Sequence, residues 1–363
     1  MKLHVTQENL QKALNSVSRV ATGRGTLPIL SNVLLKIVGN RLSIAATNLD
    51  IAITHFIGAK VEAEGSITVP ARLMQDFISS LPSGVIDLDL QDNKLHIRTE
   101  KYESTINGVS AEEYPVMPAI TNGKELSIDA KVLKNGLQQV LVAASVDESR
   151  PVLTGVYIHT HEGKLFLVAT DSYRLAEKEL NKTQEDVSML LPASALQDLL
   201  RVLSDADGTV DIIHDDQQAL FRVADVELVT RQIDGKYPDY RKLIPSKFEL
   251  QATLSKAEFI NITKVSSLFA RESAGSITIH LDEKEQQVSI RSIASQLGEN
   301  VASATAKVEA EGTITLNSRY VLDALQCLQG EEVVFSFNGK LDPCVIKDTK
   351  NKDYIHVIMP LKS

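Results

Sequence analysis

His159 and His161, in IHTH, are two imidazoles one residue apart. On a strand they would share a face and form half of a metal site. A metal centre needs a third ligand, and none stands at a fitting spacing, so the pair reads as exposed strand histidines. Asp171 in ATDSYR and the run HDDQQ at 214–218 offer carboxylates for acid–base work. Neither has a base paired to it, and both read as turn residues. Cys327 and Cys344 are too few for a disulfide framework or a four-ligand zinc site. GRGTLP at 23–28 fails the dinucleotide fingerprint at its last position, and no GxxxxGK[ST], HExxH or GxSxG occurs. Residues able to do chemistry are present without a constellation. No catalytic residue, metal or cofactor is therefore expected, and the protein reads as a non-enzyme.

The elements that carry these residues repeat. KVEAEGSITVPA at 60–71 returns as KVEAEGTITLNS at 307–318, and KTQEDVSMLLPA begins midway at 182. Each has a lysine, an acidic turn, an alternating apolar strand, a short break and a helix. LHVTQENLQKAL at 3, LSIDAKVLKNGL at 126 and LQATLSKAEFIN at 250 keep the same spacing, and EEYPVMP, GKYPDYRKLIP and DYIHVIMP close the copies. A period near 123 residues is a whole domain rather than a solenoid unit. Three copies of one domain are expected, over 1–122, 123–247 and 248–363. Period-2 runs such as KLHIRTE read as strands, VGNR, QDNK and HEGK as hairpin turns, and 3.6-period stripes as helices. The helices are placed at 6–24, 71–81, 129–144, 193–203, 255–271 and 318–328, with Thr6 as the first N-cap. Each copy is then two helices packed on antiparallel sheet, an α+β arrangement.

The chain has 363 residues, 43% hydrophobic and 23% charged, as a water-soluble globular protein would. No apolar run approaches the roughly 18 residues of a membrane span. The N-terminus lacks a signal-peptide core, and a cytoplasmic location is expected. A net charge of −9 argues against nucleic acid as a partner unless the charge is segregated. It is segregated: the six helical segments carry +5 and the remainder −14. A basic helical layer on an acidic protein could face a polyanion.

ATDSYRLA (169–176), DGKYPDYRKLIP (234–245), the terminal VIMPLKS (357–363), VPARLMQDFISSLP and the threefold period together resemble the bacterial β sliding clamp, the processivity subunit of the replicative DNA polymerase. The resemblance runs from Met1 to Ser363. It implies a head-to-tail homodimer closed into a ring of six like domains, with helices lining a hole through which double-stranded DNA threads. It also implies non-specific DNA contact by Arg24, Arg72 and Arg150. The family docks short peptide tails of the polymerase catalytic subunit, the clamp loader and repair proteins in one apolar cleft. By resemblance that cleft uses Leu153, Thr170, Ser172, Tyr173, Arg174 and Leu175. To these it adds Pro238, Lys242, Leu243, Val357, Met359, Pro360, Leu361 and Lys362. The apolar members make a socket for a Leu or Phe anchor, and Arg174, Lys242 and Lys362 suit acidic or amide groups beside it. Relatives often have His, Arg and Met-Arg where Tyr173, Lys242 and Leu361-Lys362 stand. Ile106, Leu268 and Phe269 are carried over to the seam between chains. A sequence-specific DNA binder is disfavoured, since no helix-turn-helix signature or strong basic cluster occurs.

Overall fold

The structure is a computed structural model and describes residues 1–21, 27–295 and 298–361. One order of elements is written three times: strand, helix, three or four strands, strand, helix, three strands. The opening strands are Lys2–Thr6, Lys124–Asp129 and Leu250–Ser255. Each is followed by a helix, α1 (Gln7–Val17), α3 (Ala130–Val140) and α5 (Lys256–Phe269). The second helix of each copy is α2 (Ala71–Ser80), α4 (Ala193–Val202) and α6 (Ser318–Cys327). In every copy the opening strand pairs antiparallel with the strand after the second helix: Val85–Gln91, Thr209–His214 and Glu332–Phe337.

The helices are shorter than the periodicity predicts. α1 ends at Val17 with its cap at Ser18, and α3 tightens into a 3-10 turn at Leu141–Ala143. Helix ends commonly tighten this way. At these ends the six helices carry a net +3, because Arg19 and Arg271 follow their helices, Arg24 lies outside the described residues and Asp129 falls in the strand before. The helical layer remains basic against a chain of −9. Thr6 holds the N-cap position of α1 but gives no side-chain cap. The Gln7 N–H bonds Gly84 O instead, at 2.8 Å. The equivalent positions in later copies do cap: Asp129 accepts from Lys131 and Val132, Ser255 from Glu258 and Asn317 from Arg319.

The chain divides into two compact units, one of residues 1–134 and 194–232, the other of 135–193 and 233–363. The second copy contributes to both. The reason lies in the ladders. In the first unit an eight-stranded sheet runs on from the first copy into the second through Ile51–Gly58 paired with Val226–Arg231. In the other unit a twelve-stranded sheet joins the second copy to the third through Arg174–Lys182 paired with Tyr354–Ile358. Backbone hydrogen bonding therefore crosses the repeat junctions. A five-stranded sheet in the first unit ends on the strand Glu103–Asn107. Leu10, Leu14 and Val17 of α1 are buried, as are Phe259 and Ile262 of α5 and Val321 and Leu325 of α6. The hairpin QDNK turns at Asp92 and Asn93, both at positive φ, as a two-residue turn between twisted strands requires.

Candidate functional site

Thr170 and Leu175 face each other across the tight turn joining strands Lys164–Thr170 and Arg174–Lys182. Asp171 builds the turn: its carboxylate accepts from the N–H of Tyr173 and of Arg174, at 2.9 and 3.0 Å. Thr170 Oγ1 donates to Arg174 O at 2.6 Å, and Ser172 sits at φ 79°. Asp215 caps its own turn in the same way through Gln217 and Gln218. Both carboxylates are turn residues, as their sequence context predicts.

Alternation along the strand sends Arg174 and Leu175 to opposite faces. Leu175 pairs with Val357 and enters a buried cluster with Phe166, Val168, Tyr237, Tyr240, Val345 and Ile355. Arg174, also buried, turns to α6, where its guanidinium lies over the Tyr320 ring at 4.4 Å. Nε donates to Asp171 at 3.1 Å and Nη1 to Asp323 at 2.5 Å. Two carboxylates and a ring thus already engage the Arg174 guanidinium. Tyr320 and Asp323 escaped the sequence reading. Three apart on α6, they share a helix face, but nothing in the sequence says that Arg174, 149 residues from Asp323, meets them.

Three further elements converge on this turn. The C-terminal segment is tied by Met359 N–H to Tyr173 O at 2.8 Å and by Leu361 N–H to Thr315 O at 2.9 Å. The 3-10 turn Pro151–Leu153 is held by Arg150, whose Nη1 donates to Ser172 Oγ at 3.0 Å and whose Nε pairs with Asp147. Segment 233–248 covers the cluster through Tyr237, Tyr240, Ile244 and Phe248. At Gly235, φ 132°, a Cβ would stand 2.6 Å from Val152 Cγ1, so this close approach requires glycine. Leu153, Thr170, Leu175 and Val357 are buried and form the floor. Tyr173 is 58% and Leu243 47% exposed, and with Pro238 and the half-buried Met359, Pro360 and Leu361 they form an apolar mouth. Lys242 is exposed and paired with Asp239 at 2.6 Å. Lys362 lies outside the described residues. Buried apolar side chains with exposed apolar ones on nearby segments are the kind of surface that suits a short chain carrying Leu or Phe.

His159 corrects another expectation. It is buried, not exposed, with its ring stacked between Tyr157 and Phe166 and its Nε2 2.8 Å from the Tyr240 hydroxyl. His161, two residues on, is exposed beside Glu162. Burial lowers the pKa of His159 to about 4 and that of the fully buried His356 to about 3. These are bases with depressed folded values, so the unfolded chain binds more protons between about pH 6.5 and 4. Stability is full above the unfolded value and falls as the solution is acidified through that window. His4, raised by Glu62 and Asp87, opposes this with the reverse sign, but it stands near the surface. Guanidinium titrations should lose on the order of 2 kcal/mol for each of His159 and His356 on going from pH 7.5 to 5. Equal stability at both pH values would refute the neutral, buried assignment.

Arg72, on α2, is 96% exposed with only a 3.9 Å approach to Asp76, so its charge is available. Arg24 lies outside the described residues. Arg150 stands at the N-cap of the 3-10 turn Pro151–Leu153, its guanidinium engaged with Ser172 and Asp147.

Among the strand edges of the described residues, two bear on how copies could join. In Glu103–Asn107, Gly108 N bonds Asn93 O and Thr99 N bonds Tyr102 O, so by alternation the even-numbered residues bond the neighbouring strand. Glu103, Thr105 and Asn107 therefore point their N–H and C=O outward. In Gly298–Val308, Ala306 N bonds Gln286 O and Glu309 N bonds Gln251 O. The strand Leu250–Ser255 covers only residues 306–308, which leaves Glu299, Val301 and Ser303 with free edge groups. Val301 is 64% and Leu268 52% exposed beside that edge, and Phe269 is half-buried. Ile106 is buried in its own sheet, so it reaches a seam only through its neighbours.

Residues 1–118, 127–239 and 241–362 match, in order, the N-terminal, central and C-terminal domains of the DNA polymerase III beta subunit. Over 380 aligned residues, covering all of both chains, the protein is 30% identical to the beta sliding clamp of Bacillus subtilis. It is 28% identical to that of Staphylococcus aureus over 377 residues, again with full coverage of both. The crystal structure of the Bacillus subtilis DNA polymerase sliding clamp superposes with a TM-score of 0.95 at 29% identity, covering 100% of this chain and 99% of that one. A sliding clamp from Pseudomonas aeruginosa bound to griselimycin superposes with a TM-score of 0.95 at 25% identity, covering both chains in full.

Proposed function

Because the chain belongs to the DNA polymerase III beta subunit family, the bacterial β sliding clamps, we propose that it is the processivity factor of a replicative DNA polymerase and acts without catalysis. Two copies join head to tail into a ring of six domains that encircles duplex DNA. The observation that carries this is the threefold repeat, in which the edge strand Glu103–Asn107 of the first copy and the uncovered part of Gly298–Val308 in the third both offer outward backbone groups. An edge at each end of one chain makes a heterologous joint, and a rotation that closes gives a finite ring.

The net +3 of the helices lets them face phosphate while the acidic remainder repels stray nucleic acid. Such contact is weak and blind to sequence, which sliding needs. Arg72 and Arg24 supply part of it. The apolar socket takes peptide tails of the polymerase, the clamp loader and repair proteins, with Lys242 beside the mouth. No described helix is long and apolar enough to cross a membrane, and we place the protein in the cytoplasm, at the nucleoid.

The test is topological. Once a clamp loader has placed it on DNA, the protein should stay on nicked circles through gel filtration and leave within minutes when the circle is linearised. Loss at equal rates from both would refute encirclement. Arg72→Ala should weaken residual DNA affinity only about two- to threefold and lower the salt slope by about one.

A further inference from the structure

Segment 233–248 supplies Pro238, Lys242 and Leu243 to the socket yet contains only one 3-10 turn, Tyr240–Leu243. Its backbone hydrogen bonds from 238 to 244 are internal, Tyr240 N to Pro238 O and Ile244 N to Arg241 O. What fixes its middle to the sheet is side-chain chemistry. We infer that Tyr240 is a positioning residue for the peptide socket, its hydroxyl clamped between Glu177 and His159 so that the segment's exposed residues are held at the mouth. This deepens the peptide-docking reading and rests on it.

Tyr240 is 3% exposed, and its ring lies in the cluster that contains Leu175 and Val357. Its hydroxyl stands 2.5 Å from Glu177 Oε2 and 2.8 Å from His159 Nε2. A phenol has one proton, and here it goes to the carboxylate. The hydroxyl oxygen then accepts, so His159 carries its proton on Nε2. His159 is held in turn by the Tyr157 and Phe166 rings. Arg241 lies over Phe166 at 4.7 Å with Nη2 3.4 Å from the same Glu177 oxygen, which offsets the charge of the half-buried carboxylate. Burial and Glu177 together keep the phenol protonated far above its usual range. The bonds at Tyr240 thus tie the docking segment to strands Arg174–Lys182 and Gly155–His161. Arg174–Lys182 is the strand whose first turn forms the socket floor.

The probe is a fluorescein-labelled pentapeptide Gln-Leu-Asp-Leu-Phe, which offers two apolar anchors, an amide and an acid. It is titrated by anisotropy against the full-length protein, alongside hydrogen exchange of residues 236–246. Tyr240→Phe should weaken the peptide roughly tenfold, the loss of about one charge-assisted hydrogen bond, and should speed exchange in 238–244. Glu177→Gln keeps an oxygen for the phenol and should stay within about threefold of the unmodified protein. The clamp is overturned if Tyr240→Phe binds as tightly as the parent, or if it binds weakly with exchange unchanged, since that marks direct ligand contact. A parent protein that ignores the peptide sinks the docking reading, and exchange in Tyr240→Phe still decides the clamp by itself. Nitrogen-15 shifts of His159 in the unmodified protein give a check that needs no variant: the Nε2–H tautomer supports the clamp and the Nδ1–H tautomer overturns it.

Discussion

A chain carrying Thr105→Pro should run as a single species of one chain's mass, 39.8 kDa, at concentrations where the unmodified protein runs at twice that. Thr105 sits opposite His96 in the edge strand, at a position whose N–H does not bond its own neighbour. Proline there removes one outward donor and puts a ring where the adjoining strand must lie, while the hairpin bonds at the even positions stay intact. The folded single chain should survive, with an unchanged far-ultraviolet spectrum. The joint between chains should weaken by about a thousandfold or more, because an interrupted ladder also separates the apolar side chains around Val301 and Leu268. Val301→Pro, on the other edge, should behave alike. Multi-angle light scattering after gel filtration decides it. Persistence of the double mass at nanomolar concentration for both variants would move the seam elsewhere.

The second large effect is at the socket. Met359→Asp combined with Leu361→Asp should reduce affinity for the Gln-Leu-Asp-Leu-Phe probe by at least about a hundredfold, with the double-mass species and the thermal midpoint retained. Both side chains are half-buried at the mouth, and both residues are tied by backbone N–H groups that the substitutions leave in place. Carboxylates there would have to be desolvated when an apolar anchor enters, and an isolated desolvated charge is costly. They would also repel the acid of the probe. Leu175 is a poorer choice for this experiment. It lies in the core cluster, so truncating it confounds binding with a cavity cost of about 2–5 kcal/mol. Undiminished anisotropy in the double variant would refute the socket.

Much of this was legible because the chain states its plan three times. A strand read weakly in one copy is read again in the next: the strand before α1 has counterparts before α3 and α5, and each pairs with the strand after the second helix. What stayed hidden depends on contacts between distant segments. Local alternation gives Arg174 a face but not the Asp323 and Tyr320 that occupy it. His159 reads as exposed because IHTH alternates with polar neighbours, while the rings that bury it come from Phe166 and the separate segment bearing Tyr240. Thr6 has the right residue type for a cap, but Gly84 supplies the acceptor from a loop far along the chain. Compactness follows hydrogen bonding rather than duplication, so the second copy is shared between two units although its sequence is one continuous stretch.

The ladder across each repeat junction also bears on how such a protein can be inherited. If the gene were cut where the first copy ends, Ile51–Gly58 would lose the strand Val226–Arg231 that now covers its outer side. Cut before the third copy, Arg174–Lys182 would lose Tyr354–Ile358. Either fragment would bare a raw flank of five paired residues, the kind of surface that recruits unrelated strands. Once duplication had stitched the copies together in this way, reversing it became hazardous. A lineage holding the fused form is free to let each third drift in sequence, but not to separate the thirds into independent polypeptides.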